Sequence, residues 1–89
     1  MSSTQKVLIH LFEHGLINTK EAQEQYNIRN LKDVINKLRN YDYRILAIEE
    51  PNNTNYILSS APISFDNKYQ RLKEKIDRNY KNIMRLYNY

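Results

Sequence analysis

Two stretches of this 89-residue chain carry side chains whose types and spacing could do chemistry. The first is His10-Leu11-Phe12-Glu13-His14, the H-x-x-E-H spacing in which two imidazoles one helical turn apart hold a zinc ion and the carboxylate acts as base. That chemistry needs a further ligand downstream and a substrate cleft. Leu11 and Phe12 read instead as core residues, and so short a chain leaves little room for a cleft. A pair of surface histidines is the expectation. No Ser/His/Asp set, phosphate-cradling glycine loop or catalytic carboxylate pair is present either, so neither an enzyme nor a metal or cofactor is expected. The second stretch is residues 29–40. Ile28, Leu31, Ile35 and Leu38 fall at steps of three, four and three, one apolar stripe on a helix. At about 100° per residue, the opposite side carries Arg29, Asp33, Asn36 and Asn40 at its centre. Lys32 and Arg39 lie on one flank, Asn30 and Lys37 on the other. Amides and guanidinium groups pair bidentately with adenine and guanine edges, so this face is suited to a DNA major groove. Arg29, Asn36 and Asn40 would read bases, while Lys32, Lys37, Arg39 and Arg44 would hold phosphates. Asp33 is the awkward member: it can accept from cytosine N4, or it can repel phosphate. The competing reading is a polar helix face that is merely solvated.

The elements that must position these groups can be read from capping and periodicity. A first helix over residues 4–14 would be capped by Ser3 or Thr4 and closed by Gly15, burying Val7, Leu8, Leu11 and Phe12. Leu16 and Ile17 suit a brief extended link, a minor strand at most. A second helix starts near Asn18 or Thr19, where Asn18 and Glu21 have capping-box spacing. It ends around Tyr26-Asn27, since Asn tolerates positive φ. Ile28 then plugs the core and the third helix begins at Arg29 or Asn30. It ends at about Asn40, with Asp42 as the left-handed residue beyond it. Residues 43–49 are rich in aromatic and β-branched types, Pro51 to Asn55 is a turn signal, and Tyr56-Ile57-Leu58 returns as a second strand. A short helix, a tight turn and a longer helix with a polar outer face make a helix-turn-helix pattern, and the hairpin after it has the place of a wing. Its tip, Asn52, Asn53 and Thr54, can reach phosphates or a minor groove through amide and hydroxyl groups. The same residues are ordinary loop chemistry, and Glu49 and Glu50 at its base would repel phosphate.

After a linker over residues 59–62, a last helix capped by Ser64 or Asp66 is expected to run to Asn88. Phe65, Tyr69, Leu72, Ile76, Tyr80, Ile83 and Tyr87 form its stripe, an eleven-residue repeat suited to a nearly straight helical pair. About 24 residues would span roughly 36 Å, more than the small domain can cover. At least half of the stripe is therefore expected to pack on a second copy, making these residues a homodimer interface. The alternative is that the helix folds back as a fourth core helix. The division expected is residues 1–60 as one domain and 61–89 as a dimerisation arm.

Composition sets the surroundings of this scheme. There is no cysteine, the first residues lack the charged-then-apolar order of a secretory signal, and no apolar run approaches membrane-spanning length. A soluble, cytoplasmic protein with no membrane contact is the default. The formal charge is +4. Residues 1–60 hold seven basic and seven acidic side chains, and residues 61–89 hold seven against three. A segregated basic surface attracts polyanions. Residues 16–58 further resemble the winged helix-turn-helix domains frequent in bacteriophage and prophage proteins. The resemblance rests on Thr19-x-Glu21-Ala22, Tyr26-Asn27-Ile28, Leu31-x-x-x-Ile35-x-x-Leu38-Arg39 and Tyr43-x-Ile45. It implies DNA binding through the helix from Arg29, in phage gene control, excision or replication. Two positions depart from it: Arg29 stands where Ser or Thr is usual, and Asp42 where Gly is usual. The fold class expected is mainly α with a small β-hairpin (α+β), a winged helix-turn-helix plus a long C-terminal helix. The function expected is a small sequence-specific binder of double-stranded DNA. The alternative is a winged module turned protein-binding adaptor or inhibitor.

Overall fold

The computed structural model describes residues 1–87, Asp66 and Asn67 by their backbone alone. The helix α1 (Ser3–His14) leads through the strand β1 (Leu16–Asn18) into α2 (Thr19–Tyr26) and α3 (Leu31–Asn40). The strands β2 (Arg44–Glu50) and β3 (Asn53–Ser60) follow, then α4 (Phe65–Lys68) and α5 (Gln70–Tyr87). This is an α+β fold with a helix-turn-helix, a hairpin and a long C-terminal helix, as the patterning predicts.

Local chemistry sets most of the boundaries. Ser2 caps α1, one residue ahead of the expected cap: its hydroxyl accepts from the Gln5 N–H, and the Gln5 side chain accepts from the Ser2 N–H. Gly15 takes the left-handed conformation at φ +79° and returns its N–H to the Leu11 carbonyl at 2.8 Å. Asn18 and Glu21 form the expected box at the start of α2. Asn27, at φ +55°, ends that helix, and Asp42, at φ +70°, turns the chain from α3 into β2. Both sit where glycine would be less strained.

The link after Gly15 is a true strand. β1 pairs with β3, β3 with β2, all antiparallel, so the last strand is central in the order β1-β3-β2. Successive residues of a strand point to opposite faces, and Asn55, Tyr56, Ile57 and Leu58 are all buried, so β3 is covered on both sides. Val7 and Leu11 of α1, Ile17 of β1 and Ala22 of α2 share one core with four residues of α3 and with Ile45, Tyr56 and Leu58.

The C-terminal region departs most from expectation. The single helix predicted over residues 64–88 is broken at Tyr69 (φ −130°, ψ 47°) into α4 and α5. The bend lets Phe65 stay against Phe12 and Tyr43, at ring-centroid distances of 6.4 and 6.0 Å, while Ile76 enters the shared core. Packed along β3 and across α1, α5 belongs to the domain rather than standing off it as an arm. The predicted end at Asn88 and the Asp66 cap lie outside what is described.

Candidate nucleic-acid interface

What presents α3 is a short, tightly specified turn. Ile28 is buried and donates its N–H to the Ala22 carbonyl at 3.0 Å, pinning the turn against α2. Asn30 has a non-helical backbone, so α3 starts at Leu31, and Arg29 and Asn30 stand in the turn rather than on the helix predicted from residue 29. Leu31, Val34, Ile35 and Leu38 are all buried. Every other position of α3 is exposed: Lys32, Asp33, Asn36, Lys37, Arg39 and Asn40. Neither the C-terminal helix nor the hairpin covers that side.

Two of these groups are already engaged. The Asn30 amide donates to the Asp33 carboxylate at 2.7 Å, so the awkward acid is matched within the face and both groups are partly spent. The Arg39 guanidinium donates to the Ile45 carbonyl at 2.7 Å, tying the last turn of α3 to β2. Arg39 is thus a bracket between elements as well as a surface cation. Arg29, Lys32, Asn36, Lys37 and Asn40 are exposed and have no side-chain hydrogen bond or ion pair among the described residues. Arg44 is exposed at the start of β2.

The hairpin tip is tighter than predicted. The turn is Pro51-Asn52, with Asn52 exposed at φ +64°. Asn53 and Thr54 belong to β3 and are half-buried. The Lys20 N–H donates to Asn53 Oδ1 at 3.4 Å and the Thr54 N–H donates to Thr19 Oγ1 at 3.3 Å. The start of α2 thus latches the returning strand, and of the three tip residues only Asn52 stays free of that contact. Glu50 is drawn into a hydrogen bond from the Asn55 amide.

Of the residues expected at a dimer interface, Ile76 is 1% exposed inside the chain's own core. Phe65, Leu72, Tyr80 and Ile83 are half-buried within the chain. Tyr69 and Tyr87, 47% and 37% exposed, remain open at the two ends of the stripe.

The histidine pair is not a surface pair. His14 is exposed, but His10 is 4% exposed. The His10 Nδ1 lies 2.7 Å from the Tyr26 hydroxyl, and its Nε2 lies 3.7 Å from a Glu21 carboxylate oxygen without a hydrogen bond. The tautomer in which Tyr26 donates to Nδ1 turns the Nε2–H toward that carboxylate. Burial holds the His10 pKa below its ordinary value, against the opposing pull of Glu21. The signal was available in sequence: positions 7, 10, 11 and 14 share one helical stripe, and two of them are Val7 and Leu11. Among the described residues, no group of three His, Cys, Asp or Glu could hold a metal ion, and no helix is long and apolar enough to cross a membrane. Comparison with protein-family models, with curated proteins and with solved structures gives no match.

Proposed function

We propose that the protein binds double-stranded DNA in the manner of a winged helix-turn-helix module, with α3 in the major groove. One observation carries the reading: α3 has one face buried and the other exposed from end to end, with Lys32, Asn36, Lys37 and Asn40 free to make new contacts. Asn36 and Asn40 are the groups suited to base edges, and Lys32, Lys37 and Arg44 to phosphates. Arg29 approaches from the turn. The order helix–strand–helix–helix–strand–strand and the sheet order β1-β3-β2 support the likeness drawn from sequence. The role in view is a phage-type regulator of transcription, excision or replication. A second copy would meet the chain through the open ends of the C-terminal stripe, at Tyr69 and Tyr87.

Selection of bound fragments from random duplex DNA tests binding, specificity and site symmetry together. A recovered motif supports the reading, with a palindrome if the chain is dimeric. No enrichment over input, together with no binding to any duplex at low salt, would leave the protein-binding alternative. That alternative draws on the zero net charge of residues 1–60 and the exposed Glu49 beside the hairpin tip.

A further inference from the structure

The net charge of the chain is carried by a single element. α5 holds Arg71, Lys73, Lys75, Arg78, Lys81 and Arg85 against Glu74 and Asp77. Six against two leaves +4, the whole excess, and the remaining eight basic and eight acidic side chains cancel. Within α5, Arg71, Lys75, Arg78, Asn82 and Arg85 are all exposed and fall at steps of four, three, four and three. That spacing makes one straight line of about 21 Å along the side opposite Ile76. Arg71, Lys75, Arg78 and Arg85 have no ion pair among the described residues. Glu74 and Asp77 fall to one flank of the line. The helix beneath is firmly seated: Ile76 is in the core, and the Asn79 amide donates to the Phe12 carbonyl at 3.4 Å.

We propose that this outward face of α5 is a second contact surface, one that takes the phosphate backbone of a nucleic acid without regard to sequence. A line of cations held on a rigid rod loses little freedom on meeting a row of phosphates, and a duplex offers about one charge per 1.7 Å of its axis. An anionic membrane is the other polyanionic surface to weigh. A helix that lies on lipid needs apolar side chains to insert beside its cations, whereas this line has none; of the exposed apolar residues described at the end of α5, Leu86 borders it and Tyr87 falls on the side of Ile76. The occupant is therefore nucleic acid. This surface shares a ligand class with α3 but none of its residues, so either can fail alone.

The test is the salt dependence of binding to a duplex of random sequence, for the full chain and for R71Q/K75Q/R78Q/R85Q. All four positions are exposed, and a thermal melt confirms that the variant is folded. Each lost phosphate contact lowers the log–log slope by about 0.9, so a drop of about 3.6 units is expected if all four cations meet phosphates. E74Q/D77N should bind the same duplex more tightly, which keeps the proposal open to failure if the quadruple variant misfolds. An unchanged slope in the folded variant, or wild-type binding to phosphatidylglycerol vesicles but to no duplex, overturns it. Loss of sequence preference in an Asn36→Ala variant at unchanged slope would bear on α3 alone.

Discussion

At the scale of single residues, the two polar groups with most to say are Asn36 and His10. Asn36 is exposed at the middle of α3 with both the donor and the acceptor of its amide unspent. Asn36→Ala should cost about 1–3 kcal/mol of binding to a selected site and relax preference at one base pair, measured by competition with single-base variants of that site. A loss that is uniform over all sequences would make it a phosphate contact instead. His10 is buried and its pKa lies below the ordinary 6.5. A folded-state value below the unfolded one means that the neutral ring adds stability above about pH 6.5, and that this is lost as pH falls through the lowered value. The urea midpoint should therefore drop between pH 7.5 and 5.5, and His10→Phe should flatten that dependence. A midpoint that rises with acid would mean that pairing with Glu21 outweighs burial. The two residues differ in how legible they were. Asn36 follows from the position of the apolar stripe alone. His10 was misplaced because its motif drew attention to chemistry, although its spacing from Val7 already put it on the buried side.

At the scale of elements, caps and turns were the readable part. Asn18 with Glu21, Gly15, Asn27 and Asp42 all act as their side chains and backbone preferences dictate. Local chemistry decides such sites, so a sequence displays them. The latch of Asn53 and Thr54 onto α2 and the seating of Phe65 on Phe12 at the kink depend on partners 33 to 53 residues away, and no local pattern announces those. Gly15 shows both kinds of cause at once. Its positive φ was foreseeable, but a Cβ there would also lie 2.7 Å from Asn79 Cβ and 2.8 Å from Ile83 Cδ1, because α5 crosses over it. Gly15→Ala should therefore destabilise by about 2–4 kcal/mol, combining left-handed placement with overpacking. Adding Ile83→Ala should restore part of that loss in urea melts. A Gly15→Ala protein as stable as the parent would mean that α5 is not seated there.

At the scale of the whole molecule, α5 closes the core instead of leaving it. Ile76 joins a cluster whose other members end at Leu58, so the domain is incomplete without its last segment. Ile76→Ala should cost about 2–5 kcal/mol. A chain ending at Ser64 should lose its cooperative thermal transition, whereas a detachable arm would leave that transition intact. The stripe of Phe65 to Tyr87 was legible as apolar, but length arithmetic on an unbroken helix sent it toward a second copy. With the kink, much of the same stripe is used within the chain, and sedimentation at micromolar concentration reads whether Tyr69 and Tyr87 still bring two chains together.

Synthesis runs from the N-terminus, so α5 leaves the ribosome only after every element that it packs against. Until Ile76 and Ile83 emerge, the nascent polypeptide has its helices and strands but lacks the side of the core that α5 supplies. Products that stop before Ile76 should accordingly be more protease-sensitive than those that run past Ile83.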